Sequence, residues 1–252
     1  MSDYIFKQTG RRYSQQVISY TLKRDSDVTR KRASKRYLEQ NLEKVRRFLV
    51  DNYQIFSSSN CLAMDEFGTN LGEAPRYAYS RRGLRAIVPR PGQRGFNYTL
   101  FLCVRNVEKQ SVVSHKLIKN EKGKKRKGTD ALDFYNFLKG IELPTGEQHY
   151  LLLDNAKIHY TSKKLRELSL SIEELAREKN IILIYLPSHS PQINPAELCF
   201  NTVRHLTEKS QSRNDEELND NVVKIINILN QKPLTEYFRH CRDYFSFDKN
   251  GN

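Results

Sequence analysis

The chain has 252 residues, of which 38% are hydrophobic, so it can build a packed core and is not wholly disordered. Its 43 Lys and Arg residues outnumber the 29 Asp and Glu residues, which leaves a formal net charge of +14 at pH 7. This balance favours nucleic acid over an acidic membrane as the partner. The sequence has no signal peptide, no basic amphipathic helix with aromatic anchors and no apolar run of about 18 residues.

The first 60 residues are predicted to hold two helices joined by a basic linker. Ser14 is the expected N-cap of a helix that runs to Arg24. Its apolar face consists of Val17, Ile18, Thr21 and Leu22. Residues 24–36 are charged and poor in apolar side chains, as in a linker. A second helix over 37–53 is indicated by the helical spacing of Leu38, Leu42, Val45 and Leu49.

From residue 61 the apolar residues occur in short runs that are typical of strands. Three of these runs are 61–67, 97–106 and 111–118. Two shorter candidates, 76–80 and 85–89, flank the turn-like sequence Arg-Arg-Gly. The basic segment 123–128 is bounded by glycines and is predicted to be a loop.

The second half alternates between helices and strands. The predicted order is a helix at 129–140 with Thr129 as N-cap, a strand at 149–154, a helix at 161–180, a strand at 181–187 and a helix from Asn194 to about Lys209, followed by two more helical patterns. Alternation of this kind implies parallel strands with helices covering the sheet. The functional cleft of such a sheet lies at the carboxyl ends of its strands.

Three acids are candidates for this cleft. Asp65 and Asp154 each end a predicted strand, and Glu197 opens a helix. Two Mg²⁺ ions about 3.5–4 Å apart need several carboxylate oxygens between them, so a third acid is expected beside the first two. Glu66 follows Asp65, but strand alternation places it on the opposite side, so it is expected to be a neighbour and not a ligand.

Each candidate also has a purely structural interpretation. Asp154 could be an ordinary turn residue, because Asp bonds readily to nearby backbone. Asn194 suits an N-cap and Pro195 the first helical position, so Glu197 could bond back to the cap backbone. His159 could contact a phosphate, help to position Asp154, or simply open the next helix.

The four cysteines, Cys61, Cys103, Cys199 and Cys241, are widely spaced and form no C-x-x-C pair. This argues against a zinc ribbon or finger. Reduced core cysteines of an intracellular protein are the predicted role.

Four blocks, MDEFG, YSRRG, LLLDNAKIH and LPSHSPQINPAEL, occur in this order over residues 61–209. Together they resemble the catalytic domain of mariner-type transposases and of related bacterial insertion-sequence enzymes. The D-N-x-x-x-H and L-P-x-x-S-P-x-x-N-P-x-E blocks are specific as a pair. The resemblance implies an α/β, ribonuclease-H-like fold, with a mixed sheet flanked by helices and a short helical N-terminal extension.

Matched motif by motif, the resemblance assigns the catalytic and metal-binding triad to Asp65, Asp154 and Glu197. It implies two Mg²⁺ (or Mn²⁺) ions that activate water, and later a DNA 3′-hydroxyl, for in-line attack on a phosphodiester. Asn155 and Asn194 are the expected supporting residues. The expected DNA contacts are Arg81, Arg82, Arg85, Lys124, Lys125, Arg126, Lys127 and His159.

Two departures from the family pattern affect the expected domains. Forty-two residues separate Asp154 from Glu197, a long spacing whose extra length is predicted to lie within 161–180. Only one helix precedes residue 37, where the family carries two helix-turn-helix units. The predicted domains are therefore a helix-turn-helix remnant with a basic linker (1–36), a connecting helix (37–60), the catalytic domain (61–210) and a helical tail (211–252).

The predicted function is metal-dependent cleavage and strand transfer of double-stranded DNA, both transposon ends and target, by an intracellular protein. The resemblance to the family further implies a homodimer on DNA and a preference for TA targets. The expected location is the nucleus of a eukaryote or the cytoplasm and nucleoid of a bacterium. A shortened chain would depend on a separate polypeptide for end recognition. Two alternatives stay open, an inactive or domesticated transposase-derived DNA-binding protein and a ribonuclease-H-like nuclease.

Overall fold

The computed structural model describes residues 2–25, 38–72, 78–88, 96–120 and 128–247. The chain divides into two compact units, Met1–Leu38 and Glu39–Asn252. None of the helices within these described ranges is long and apolar enough to cross a membrane.

The first unit contains two helices, α1 (Ser2–Thr9) and α2 (Gln15–Asp25). Gly10 ends α1 with a positive φ of 66°, and its N–H donates to the Phe6 carbonyl at 2.8 Å. The Ser14 hydroxyl accepts from the Val17 N–H at 3.3 Å, as predicted for the start of α2. The expectation of a single helix is wrong, because α1 is too short for its few apolar residues to set a helical period. Most of the predicted linker, residues 26–37, lies outside the described residues.

The second unit is built on one mixed sheet of five strands in the order β3-β2-β1-β4-β5. The strands are β1 (Cys61–Asn70), β2 (Asn97–Arg105), β3 (Val112–Lys119), β4 (His149–Leu153) and β5 (Ile181–Tyr185). β1, β2 and β3 pair antiparallel, whereas β4 pairs parallel with both β1 and β5. The predicted parallel pairing in the helix–strand half is confirmed.

Helices cover both faces of this sheet, and their bounds are α3 (Leu42–Asp51), α4 (Tyr53–Ser57), α5 (Ala131–Lys139), α6 (Lys163–Glu167), α7 (Ile172–Glu178), α8 (Pro195–Ser210), α9 (Asp215–Asn230), α10 (Thr235–Arg242) and α11 (Tyr244–Phe247). One core cluster joins one face of β1 to buried side chains of α3, α4, α8, α9 and α10. The other joins the opposite face to α5, α6 and α7. The α/β prediction is therefore confirmed, and the four cysteines are free and buried as predicted.

The helices after residue 210, predicted as a tail, belong to this core. Leu218, Leu229 and Phe238 from α9 and α10 are completely buried in the cluster that also contains α8. The end of α9 is bonded to the sheet, because the Asn230 side chain accepts from the Val112 N–H at 2.9 Å. Residues 39–60 and 211–242 therefore complete the unit that holds the candidate catalytic residues.

Several helices begin or end at residues other than those predicted, because local hydrogen bonds compete with apolar periodicity. α5 is capped by Asp130 rather than Thr129, in a capping box with Asp133. The predicted helix 161–180 is two helices, because Ser169 takes a positive φ of 56° and Ser171 caps α7. The helix expected from residue 37 begins only at Leu42, behind the N-cap Asn41.

The two short strands expected around Arg-Arg-Gly are wrong over residues 78–88, where the chain forms a turn without strand pairing. The Leu84 N–H donates to the Arg81 carbonyl at 3.0 Å, and Gly83 takes a positive φ of 87° that favours glycine. Residues 76, 77 and 89 lie outside the described residues.

Candidate active site

The strand register brings the first two acids to the same level of the sheet. β1 pairs with β4 from Cys61 opposite Tyr150 to Ala63 opposite Leu152, and the same register continued places Asp65 opposite Asp154. Asp65 does not end its strand as predicted, since β1 continues along β2 to Asn70. It lies instead beyond the last pair of the β1–β4 ladder, where the side of β1 towards β4 is no longer covered.

Asp65 is buried, with 8% of its surface exposed, and two donors hold its carboxylate. The Glu66 N–H donates to Oδ1 at 2.8 Å, and the Asn194 amide donates to Oδ2 at 3.0 Å. Burial raises the pKa of Asp65 well above its ordinary value, and the charges of Glu66 and Glu197 add to this shift. Asp154 acts in the same direction, so the acids lie within electrostatic reach of one another.

Glu197 is positioned by the N-terminus of α8. The Asn194 side chain caps this helix by accepting from the Ala196 N–H at 3.1 Å, and Pro195 occupies the first turn. The Asn194 backbone N–H donates to the Pro191 carbonyl, so the reciprocal bond that Glu197 would make in a capping box is not formed. Glu197 is half-buried, and burial raises its pKa together with the charge of Asp154, against the opposing charge of Arg204.

Asp154 follows β4 directly and uses only one of its carboxylate oxygens. Oδ1 accepts from the Ala156 N–H at 2.9 Å and lies 2.9 Å from His159 Nδ1, which donates to the Asp154 backbone carbonyl at 3.1 Å. Burial opposes ionisation, but these bonds and the charge of His159 hold the pKa of Asp154 below its ordinary value. Within the described structure Oδ2 takes no hydrogen bond. Alternation after Leu152, which belongs to the cluster that contains α8, directs Asp154 to the same face as Asp65.

Asn155, the predicted supporting residue, bonds the end of β4 to the segment after β5. Its amide donates to the Leu186 carbonyl at 2.6 Å, and it accepts from the Tyr160 hydroxyl. Asn194, the other predicted support, joins α8 to β1 through its bond to Asp65. Both side chains therefore brace backbone segments that carry an acid.

His159 is completely buried, which excludes the predicted contact with a DNA phosphate in this conformation. Its Nε2 lies 2.8 Å from Glu66 Oε1, its Nδ1 contacts Asp154, and its ring packs against Phe134 at 4.7 Å between centroids. Burial lowers the pKa of His159, but the two carboxylates outweigh it and raise the pKa to about 10. Of the roles considered from the sequence, support of Asp154 fits this geometry.

The predicted DNA-contacting arginines lie on the loop between β1 and β2. Arg81, Arg82 and Arg85 are exposed on the turn described above. Lys124, Lys125, Arg126 and Lys127 lie outside the described residues. The structure therefore leaves the first three accessible to a ligand.

Arg204 is a cation near the acids that the sequence reasoning missed. It extends from α8 two turns after Glu197, and its guanidinium lies 5.3 Å from the centre of the Phe67 ring, which is stacked on Phe200. Its N–H groups make no hydrogen bond among the described residues. The spacing of seven residues from Glu197 was the available signal, since two helical turns return to the same face.

The donor chemistry of the three acids suits a hard divalent cation, which prefers carboxylate oxygens. Burial is the main cause of the raised pKa values of Asp65 and Glu197, and the charges of neighbouring acids add to it, so a bound cation would favour the charged form of both groups. Among the residues that the structure describes, no three His, Cys, Asp or Glu side chains are arranged to hold an ion as they stand. By donor type and charge, the three acids nevertheless fit a metal ion.

Solved structures of Mos1 transposase share the fold of this chain. A pre-cleavage Mos1 transpososome aligns with a TM-score of 0.69 at 14% identity, over 97% of this chain and 75% of that chain. The mariner Mos1 paired-end complex with Mg aligns at 0.67 and 15%, over 98% and 76%. The catalytic domain of Mos1 mariner transposase aligns at 0.55 and 11%, over 84% and 95%. The ribonuclease-H-like fold is confirmed.

No curated protein matches the chain by sequence. A family model described as DDE superfamily endonuclease matches residues 60–219, which is more than half of the chain and includes Asp65, Asp154 and Glu197. The chain thus belongs to the DDE superfamily of endonucleases.

Proposed function

We propose that the chain is a transposase that cuts DNA strands and joins them to new DNA through Asp65, Asp154 and Glu197. One observation carries this proposal: acids from β1, the end of β4 and the start of α8 share one face of the sheet, where the charge of Asp154 adds to burial in raising the pKa of both Asp65 and Glu197. A family of endonucleases supplies the reaction class, which is hydrolysis or transfer at a phosphodiester.

In this proposal the three acids would hold Mg²⁺ or Mn²⁺, with two ions per site. Such ions, when bound, activate an attacking water or 3′-hydroxyl and stabilise the leaving oxygen. Asp154 is ionised at neutral pH, because the Ala156 N–H and His159 favour its charged form. Asn194 holds Asp65 against the start of α8, so the helix that carries Glu197 and the strand that carries Asp65 cannot separate without breaking this bond.

Double-stranded DNA is the proposed substrate, as transposon ends and as target, bound by a homodimer. The net charge of +14 supports a polyanionic partner, and the similar Mos1 structures are a transpososome and paired-end complexes. Arg204 would bind a phosphate near the scissile bond, because its unbonded guanidinium lies over Phe67, two residues from Asp65 on the same face of β1. Arg81, Arg82 and Arg85 would contact the backbone further away.

The proposed activity is tested with supercoiled plasmid and a labelled DNA duplex in the presence of Mg²⁺ or Mn²⁺. Nicked plasmid and label joined covalently to plasmid are the expected products, and EDTA is expected to abolish both. Cleavage of RNA–DNA hybrids without joined DNA products would instead indicate a nuclease. A chain that binds DNA but neither cuts nor joins it would contradict the proposal.

Arg204→Gln is expected to weaken DNA binding and to reduce the slope of log affinity against log salt by about one, since one phosphate contact is lost. Lys209→Gln removes the same charge from an exposed position at the other end of α8 and is the matched control. Fluorescence anisotropy at several salt concentrations measures both variants. Equal effects of the two substitutions would show that Arg204 contributes only to the overall charge.

A further inference from the structure

The acid that follows Asp65 contacts the second catalytic acid indirectly, from the other face of the sheet. We propose that Glu66 is a positioning residue that orients Asp154 through His159. The inference rests on the proposed function, since it assigns to Asp154 the role of a metal ligand.

Strand alternation separates Glu66 from the metal-facing side. Asp65 lies on the face of β1 that carries Ala63 and Phe67, both in the core cluster with α8. Glu66 lies on the face that carries Met64, in the cluster with α5, α6 and α7. Its carboxylate is 15% exposed and is bonded to His159, so Glu66 is directed away from the other acids.

The imidazole of His159 is held between two carboxylates. Nε2 lies 2.8 Å from Glu66 Oε1, and Nδ1 lies 2.9 Å from Asp154 Oδ1. A carboxylate can only accept, so both ring nitrogens must carry a proton and donate. The two bonds at opposite ends of the ring fix its plane and direction, and the buried ring cannot exchange them for water.

The orientation of the ring decides which oxygen Asp154 presents. The Ala156 N–H donates to Oδ1, and His159 Nδ1 lies 2.9 Å from the same oxygen while it donates to the Asp154 backbone carbonyl, so Oδ2 is left directed elsewhere. If the ring turned, Oδ1 would lose its contact with the imidazole and the carboxylate could rotate about its terminal bond. Partners of this kind, one bond removed from a metal, orient its ligands and typically change metal affinity or activity by about 10–100-fold.

Substitution of Glu66 would change one contact of His159 and leave its other contacts in place. The centre of the Phe134 ring lies 4.7 Å from the centre of the His159 ring, and the Tyr185 hydroxyl donates to the His159 carbonyl at 3.1 Å. These contacts restrain the backbone and one side of the ring, whereas among the described residues Glu66 alone bonds to Nε2. The length of the side chain at residue 66 should therefore control the orientation of Asp154.

Two substitutions separate positioning from charge compensation. Glu66→Gln keeps the length and offers a hydrogen-bonding atom to Nε2 without the charge. Glu66→Asp keeps the charge but is one methylene too short to reach the ring. Mn²⁺ binding, followed by electron paramagnetic resonance of the free ion, provides a readout that does not depend on DNA cleavage.

If Glu66 positions Asp154, Glu66→Asp should weaken Mn²⁺ binding by about 10–100-fold, while Glu66→Gln stays close to wild type. DNA affinity should not change in either variant. Glu174→Ala, which removes an exposed acid on α7, is the control and should leave Mn²⁺ binding unaltered. Melting temperatures measured in EDTA show whether each variant is folded.

If Glu66→Asp bound Mn²⁺ normally and Glu66→Gln lost Mn²⁺ binding, the inference would be overturned in favour of charge compensation. Equal and complete loss in both variants would overturn it in favour of direct ligation. If the wild type binds Mn²⁺ but cuts no DNA, the proposed function fails, and the Mn²⁺ affinities still decide the role of Glu66. If the wild type binds no Mn²⁺, the inference is overturned as well.

Discussion

Asp154→Asn is expected to reduce Mg²⁺-dependent DNA cleavage and joining by about 10³-fold or more, while DNA binding is retained. Loss of a metal ligand removes several kcal/mol of charge stabilisation in the transition state, and each factor of ten in rate corresponds to about 1.4 kcal/mol. Asn has the same shape as Asp, and its side-chain oxygen can still accept from the Ala156 N–H. The change therefore removes the charge without removing the turn.

The measurement is the initial rate of plasmid nicking and of strand joining, with DNA affinity determined in parallel. Asp220→Asn neutralises an exposed acid on α9 and is the control, for which we expect the wild-type rate. Wild-type activity in Asp154→Asn would show that Asp154 is only a turn residue. If wild type and variant were equally inert while both bound DNA, the chain would be a DNA-binding protein without this activity.

Leu229→Ala is expected to destabilise the second unit by about 2–5 kcal/mol, because it opens a cavity in the core beside α8. For a chain of this size the melting temperature should fall by roughly 5–15 °C. The side chain of Leu229 is fully buried, although it comes from a helix that the sequence analysis assigned to a tail. Thermal unfolding followed by circular dichroism measures the change.

The neighbouring residue on the same helix provides the control. Ile228 is 39% exposed, so Ile228→Ala removes a similar apolar group and should cost less than about 1 kcal/mol. Small and equal losses for the two variants would contradict the placement of α9 in the core.

Helices and strands with a strong local sequence pattern could be predicted. The apolar run before Asp154 is β4, and the Asn194–Pro195 pair begins α8 where the sequence indicated. Errors occurred where two local signals competed, as at Ser171, whose cap divides a helix that apolar spacing alone would continue. The short α1 carried too few apolar residues to give a periodic signal.

The site was predictable to the extent that its acids lie at recognisable places on strands and helices. Asp154 could be chosen from the end of β4 and Glu197 from the start of α8, whereas Asp65, which lies within β1, was supported by the resemblance to a family pattern and not by a true strand end. The contact between Glu66 and His159 could not be predicted, because the two residues are distant in sequence and Glu66 lies on the face of β1 opposite to Asp65. Arg204 was missed because its one signal, a spacing of two helical turns from Glu197, has meaning only once Glu197 is placed at the start of α8.

The sequence by itself determined the class of fold, the alternation of helices and strands after residue 128, the basic character of the chain and the identity of the candidate acids. These properties depend on composition and on repeats of two or about four residues, which are local. Only the tertiary structure decided that Asp65 lies within β1, that the helices after residue 210 complete the core and that Glu66 reaches Asp154 through His159. Each of these depends on contacts between residues far apart in the chain, and the free energy of packing selects them only when the whole sheet is assembled.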